Sequence, residues 1–293
     1  MINKKCIFNF NIDKSYDGVN YYRSLTPMDK NNMPAPHTTG IMETHFIDRT
    51  MVPGKRYYVI FGAIKGEVIR LSDQIIAYSY YDEYIDNVVY YAPYMIDFLN
   101  EITNTTSTLE KFNNINNNIS LNDNDGAIGQ GCLSIVGNSY ITTNINLNIE
   151  GNPFCIDFYV KAPAASTFNG LISVDGVYNR DYSAITLCCN NSLFISSTGT
   201  GWNVANNISL AGMCNNSWNH VAVAWDKSVI RGFVNGNQTS SVNFTGTFSQ
   251  QGTTTFIGTK SNEFISQNMM FQHFRVTKGV ARYTANFVPP TRY

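Results

Sequence analysis

Charge is scarce in this 293-residue chain: Asp, Glu, Lys and Arg make up 14%, and 20 basic against 21 acidic side chains leave a formal charge of −1. A chain so close to neutral has no field to gather a polyanion, which argues against nucleic-acid binding. The 6 cysteines, Cys6, Cys132, Cys155, Cys188, Cys189 and Cys214, form no C-x-x-C pair and are too sparse for a disulfide scaffold, so buried reduced thiols are expected. Its 4 histidines, His37, His45, His220 and His273, are scattered and compose no zinc set. No apolar run approaches the ~20 residues that span a bilayer. The N-terminal apolar stretch is broken at Asn9 and Asn11 and has no small-residue cleavage site, so neither membrane insertion nor a signal peptide is expected. The reading is a soluble protein made in a cytoplasm. No repeat recurs at a fixed period, which excludes a solenoid, and Gly126 to Gly131 lacks the Lys and following helix of a phosphate loop.

What is present is material for β structure. Apolar residues reach 43% and aromatics 13%, with abundant Asn, Thr and Ser, a composition that suits sheets with weakly charged faces. At this length two domains are expected. Strand signals fall at 5–12, 19–24, 45–48 and 57–63, then at 88–98 with Pro93 interrupting. Residues 103–125, rich in Asn and Thr but pinned by Leu109, Phe112, Ile115, Ile119 and Leu121, read as a long docked loop. From Cys132 onward short strands follow one another: 132–136, 140–143, 154–160, 171–174, 184–188, 193–195, 254–257 and 269–276. Gly and Asn turns separate them with no amphipathic helix between, which predicts an all-β chain closing in a two-sheet antiparallel sandwich.

The strongest signal is Trp218-Asn219-His220-Val221-Ala222-Val223-Ala224-Trp225, followed after Asp226-Lys227-Ser228 by Val229 to Val234 and Asn235-Gly236. It is a hairpin pattern, and Asn-Gly supplies the positive φ values of a tight turn. By parity Trp218 and Trp225 face opposite ways, so one packs in the core and the other under a loop. Trp-x-His-Val-Ala-Val with Phe-Val-Asn-Gly resembles the signature hairpin of laminin-G-like, concanavalin A-like jelly rolls. The segment Phe274-Arg275-Val276-Thr277-Lys278-Gly279-Val280-Ala281-Arg282-Tyr283-Thr284, then Asn286-Phe287 and Pro289-Pro290, resembles the closing segment of such domains in bacteriophage structural proteins. Tyr81 to Val89 resembles their lead-in, which sets a boundary near residue 81: a first domain at 1–80 and a jelly roll at 81–293.

In the first domain, Gly54-x-x-Tyr57-x-Val59-x-Phe61-x-Ala63, with Gly66 and Ser72, resembles the later strands of fibronectin type III-like sandwiches. Tyr57 falls at the corner tyrosine of that family, which implies a structural role. Few residues precede Cys6 for a first strand, and Phe8 or Phe10 stands in place of the early Trp. The resemblance therefore implies an abbreviated sandwich whose open edge a neighbouring subunit covers.

Concanavalin A-like folds also host glucanases, so paired carboxylates were sought. The Glu-x-Asp-x-x-Glu pattern is absent, Glu83 and Asp86 are oddly spaced, and Asp157 and Asp175 stand singly, so no catalytic residue is assigned. His220 shares a strand face with Trp218, Ala222 and Ala224 and reads as a packed histidine bonded to backbone. Asp123, Asp125 and Asp175 are the candidate ligands for calcium, which the laminin-G-like resemblance allows; otherwise no cofactor is expected. For glycan binding, the loop aromatics Trp202, Tyr178 and Tyr182, with Asn203, are the candidates, since rings stack on sugars and amides bind hydroxyls. The resemblance to phage jelly rolls implies a non-enzymatic phage virion protein of tail or capsid surface. It would join other virion proteins through residues 1–80, and its jelly roll would bind host surface polysaccharide. Sheet edges leave room for a homo-oligomer. A cellular carbohydrate-binding module is the alternative, and a glycan hydrolase relative a more distant one.

Overall fold

Alternating apolar and polar residues separated by Asn and Gly turns become 24 β-strands, with no α-helix among the described residues. The computed structural model describes residues 6–9, 15–48, 50–51, 56–78, 82, 84, 87–92, 94, 99–100, 105–106, 108–111, 119–122, 124–128, 131–137, 139–143, 151–165, 168–176, 182–249, 252, 254–260 and 268–291. The chain divides into two units, Met1–Asp86 and Asn87–Arg292.

The first unit holds β1 (Cys6–Asn9), β2 (Gly18–Ser24), β3 (Thr38–Ile41), β4 (His45–Asp48), β5 (Arg56–Lys65), β6 (Val68–Leu71) and β7 (Ile75–Tyr78). β1 pairs with β4, while a five-stranded sheet runs β3-β2-β5-β6 with β7 also on β5. Phe8, Tyr21, Met51, Tyr57 and Val59 form its core, and the ring of Tyr21 lies 4.7 Å from Phe46 and 5.4 Å from Phe61. A buried carboxylate ties β4 to β2: Asp48 accepts from the Tyr21 hydroxyl at 2.8 Å and Arg23 Nη1 at 2.6 Å, and from the Thr50 amide at 2.7 Å. Burial alone would raise the Asp48 carboxyl, but the bonds from Thr50 and Tyr21 and the Arg23 charge outweigh it and lower it. Strands β3, β6 and β7 were not expected from the sequence. Apart from Ile41 and Ala77 their described side chains lie at or near the surface, so no apolar alternation marks them.

The second unit contains β8 (Val88–Ala92), β9 (Leu99–Asn100), β10 (Thr105–Thr106), β11 (Thr108–Lys111), β12 (Ile119–Asn122), β13 (Cys132–Ile135), β14 (Ser139–Thr143), β15 (Phe154–Lys161) and β16 (Gly170–Gly176). It continues with β17 (Ile185–Cys188), β18 (Ser192–Ile195), β19 (Ala205–Ser209), β20 (Trp218–Trp225), β21 (Val229–Val234), β22 (Asn237–Asn243), β23 (Thr254–Ile257) and β24 (Met269–Lys278). One sheet of seven strands runs β11-β14-β23-β16-β17-β18-β19. The other, of eight, runs β12-β13-β24-β15-β20-β21-β22 with β8 on β24, and β9 and β10 form a separate pair. The stretch expected as a docked loop at 103–125 instead supplies strands, β11 at the rim of one sheet and β12 at the rim of the other; backbone pairing holds edge strands whose polar sequence hides them.

Between the sheets lie Phe154, Phe158, Phe248, Phe271 and Phe274 with Trp225, each at most 1% exposed; full burial of one such side chain contributes about 1.5–3 kcal/mol. Trp225 satisfies its indole by donating to the Phe244 carbonyl at 2.9 Å. Trp218, on the opposite parity, donates to Asp125 at 2.7 Å in the loop that covers it. The turn from β21 to β22 is Asn235-Gly236, with φ of 50° and 77°.

The outer face of the eight-stranded sheet is closed by the chain's own 279–291 segment. Tyr283 and Phe287 stack at 3.6 Å, and Phe287 lies over Phe233 at 5.4 Å. The Phe287 amide bonds the Gly236 carbonyl at 2.9 Å, and Tyr159 donates to the Pro290 carbonyl at 2.6 Å. Beneath this strap Arg275 holds Asp157 through two bonds of 3.0 and 2.7 Å, with His220 at 3.4 Å. His220 is packed, as its alternation implied, and its polar partner is the Asp157 carboxylate.

Candidate functional site

The seven-stranded sheet turns Ile185, Leu187, Leu193 and Ile195 into the core, so alternation turns Thr186, Cys188, Ser192 and Phe194 to its outer face. A cleft of about 490 Å³ lies over that face, within the size range of small-ligand pockets. Thr186, Cys188 and Phe194, all buried, form its floor. Phe168 and Trp202 stand as walls, and Asn206, Asn207 and Lys260 complete the lining.

The aromatic wall is a chain of rings in contact. Phe194 meets Phe168 edge-on at 5.4 Å and Trp202 at 5.2 Å, and Tyr182 meets Trp202 edge-on at 5.2 Å. Such geometry fixes ring orientation without filling the space in front of the faces. The loop that carries Trp202 is clamped by its neighbour: Asn203 Oδ1 accepts the Ser197 amide at 2.9 Å and its Nδ2 donates to Ser197 Oγ at 2.8 Å.

The polar groups are fixed with equal care by local geometry. Asn207 sits in the left-handed region, φ 61°, where the pairing of β18 with β19 shifts register. Its Oδ1 accepts the Ser192 hydroxyl at 2.5 Å, which leaves the Nδ2 hydrogens as donors. Lys260 reaches the cleft because β16 begins with glycine: a Cβ at Gly170 would stand 2.1 Å from the Lys260 amide nitrogen. Thr186 is 1% exposed and its Oγ1 has no hydrogen-bond partner among the described residues, although an unpaired buried hydroxyl costs about 1–3 kcal/mol.

Of the residues singled out from sequence, Trp202 lines the cleft, and Tyr182 packs against it without lining the cleft. Asn203 does not line the cleft; it supports Trp202 from behind. Tyr178 and Asp123 lie outside the described residues, and only the backbone of Asp175 is described, in β16. Asp125 is committed elsewhere, with one oxygen on Trp218 and the other on Lys161 Nζ at 2.7 Å. Those bonds from Lys161 and Trp218 lower its carboxyl, and the ammonium stands where a cation would. Among the described residues no group of three or more His, Cys, Asp or Glu forms a metal cluster. Phe168, Thr186, Phe194, Asn207 and Lys260 were not singled out from sequence. The alternation of Thr186 and Phe194 against Leu187 and Leu193 carried the signal for two of them.

Residues 136–278 match the family described as the concanavalin A-like lectin/glucanases superfamily. The second unit carries a concanavalin A-like jelly roll. No curated protein matches the chain by sequence. Similar solved structures include the botulinum neurotoxin serotype D ligand binding domain in complex with N-acetylneuraminic acid, at 13% identity and TM-score 0.49 over 68% of this chain and 48% of that one. They also include domain 4 of AbnA, a GH43 extracellular arabinanase from Geobacillus stearothermophilus, in complex with arabinotriose, at 14% identity and TM-score 0.47 over 67% of this chain and 94% of that one. A third is the binding domain of Paraclostridial Mosquitocidal Protein 1, at 16% identity and TM-score 0.46 over 68% and 50%. The chain spans about half the length of the neurotoxin binding domains it matches. The family description covers lectins and glucanases, and glycosidic hydrolysis requires two facing carboxyl groups. None of the cleft's described lining side chains is an acid.

Proposed function

We propose that the jelly roll is a glycan-binding module and that the chain is a non-enzymatic, adhesive structural protein of a bacteriophage particle, exposed on tail or capsid and directed at host surface polysaccharide. The observation that carries the binding half is the cleft. It joins the aromatic rings of Trp202 and Phe168, over a floor that includes Phe194, to the oriented Asn207 amide, a combination that suits a sugar ring with its hydroxyls.

The virion half rests on sequence resemblance, above all in the 274–290 segment that forms the strap. The strand order of the first unit, β1 on β4 and β3-β2-β5-β6/β7, supports reading it as a fibronectin type III-like sandwich that serves assembly.

The test is binding of the intact chain to candidate host cells, with and without a chelator, in competition with polysaccharide extracted from those cells. Saturable binding that free polysaccharide displaces supports the reading. Failure to bind the cells that its own particles infect overturns the adhesive assignment, and absence of the chain from purified particles overturns the virion assignment.

A further inference from the structure

We infer that Cys189 and Cys214 are a disulfide site, closed by a small-molecule disulfide as the chain folds, which ties the β17–β18 turn to the loop between β19 and β20. The inference does not depend on what the cleft binds, although the bond encloses residues that build the cleft.

Two thiols meet here out of water. Cys189 and Cys214 are 0% and 1% exposed, belong to the same core cluster, and are hydrogen-bonded to each other through their thiols. Alternation makes the pairing selective: Cys188 lines the cleft, so its neighbour Cys189 faces the core and is the one that reaches Cys214. Backbone bonds hold both sides of the pair. The Cys189 amide donates to the Asn169 carbonyl at 2.7 Å, and the Cys189 carbonyl accepts from the Ala165 amide at 3.1 Å. Asn191, in the turn at φ 64°, accepts the Leu210 amide on its carbonyl at 2.7 Å and the Cys214 amide on its Oδ1 at 2.7 Å. A single residue of the turn thus anchors the loop that carries Cys214.

The bond forms by thiol–disulfide exchange. One cysteine, as thiolate, attacks the external disulfide and releases one small thiol, and the second cysteine then displaces the other. Two S–H bonds and the external S–S bond break, one internal S–S bond forms, and both protons and both electrons leave with the two small thiols. The folded site resists this step. The bond from Cys214 and burial push the Cys189 thiol well above its ordinary range, so the native pair presents no thiolate to attack with. Closure therefore belongs to folding, while the thiols are still wet. The segment it closes carries Phe194, Trp202, Asn206 and Asn207 of the cleft lining, and restraining that segment in the unfolded chain favours the folded one.

The experiment refolds the intact chain in a mixture of oxidised and reduced glutathione, alkylates the remaining thiols in denaturant, and digests without reduction. Chymotrypsin is the protease, because cleavage at Trp202 separates the two cysteines. The expected product is one intramolecular link between the Cys189 and Cys214 peptides, with peptide sequencing placing the alkyl group on Cys188. The jelly-roll melting temperature should stand about 5–10 °C above that of the reduced chain, and Cys214→Ala should abolish the rise. The peptide map of the unsubstituted chain decides the link even if that variant does not fold. Added to the reduced chain after folding, the same mixture should close the bond about tenfold more slowly or slower still. Alkylation of every cysteine after refolding, or a link made through Cys188, overturns the site. Closure in the folded chain as fast as during refolding overturns its assignment to folding.

Discussion

Asp157 and Arg275 stand directly opposite each other on β15 and β24, and the guanidinium grips both carboxylate oxygens at 3.0 and 2.7 Å. Both side chains are almost wholly buried, at 0% and 5% exposure, beneath the strap that carries Tyr283, whose hydroxyl is 3.1 Å from Arg275. Removing one partner strands the other charge out of water. Arg275→Met is therefore expected to lower stability by about 3–5 kcal/mol, measured by urea unfolding. The pair Asp157→Leu with Arg275→Met should recover much of that loss, because no charge is left unpaired. A loss below about 1 kcal/mol for the single change would show that the pair is hydrated.

Acid should unfold the jelly roll in two stages. Burial drives His273 down to about 3 from an ordinary 6.5, and it stays neutral in a hydrogen bond between its Nδ1 and the Tyr91 hydroxyl at 2.6 Å. Between those values the unfolded chain binds a proton that the native chain does not, so stability rises with pH across this window, by on the order of 1 kcal/mol per unit. Asp157 has the opposite chemistry: burial would raise it, but Arg275 and the bond from His220 hold it below its ordinary 3.8. Its contribution is complete above pH 3.8 and is lost as pH falls below it. His273→Asn keeps an acceptor and tolerates the local φ of 55°, and it should flatten the slope between pH 3 and 6.5. An unchanged slope would contradict this assignment.

The strap depends on one glycine. Gly236 has φ 77°, and a Cβ there would lie 1.9 Å from the Phe287 carbonyl oxygen. Gly236→Ala should lift residues 279–291 from the sheet, seen as faster amide exchange at Phe287 and earlier proteolysis within the segment. Exchange at the wild-type rate would mean that the strap is held by Tyr159 and Tyr283 alone.

Thr186 reports the cost of an unpaired buried hydroxyl. Thr186→Val replaces an unpartnered buried hydroxyl with a methyl group of nearly the same shape, so stability should stay level or rise by up to ~1 kcal/mol. A fall in stability would show that the hydroxyl already has a partner.

The all-β class and the strands of the jelly roll were legible because their alternation is strong. Thr254–Ile257 lies where the sequence placed it, and Phe154–Lys161 and Met269–Lys278 extend only slightly past the expected ends. Edge strands were illegible for a physical reason. Asn237–Asn243 and Ala205–Ser209 are mostly polar and exposed, and their order comes from backbone pairing with a neighbour. The cleft was half legible. Trp202 and Tyr182 announced themselves as aromatics among Gly and Asn. Phe168, Lys260 and Gly170 are brought together from distant parts of the chain, and no local pattern encodes that meeting. The same holds for Asp157, isolated in sequence and opposite Arg275 in the sheet.

The most direct test of the central claim is to follow the three indole N–H resonances of the intact chain by NMR while titrating in the glycan it binds. Trp218 and Trp225 have their indoles tied to Asp125 and to the Phe244 carbonyl, away from the cleft, so the account predicts a saturable shift at Trp202 with the other two unmoved. A shift at Trp218 or Trp225, or binding with no shift at Trp202, would place the ligand elsewhere and contradict it.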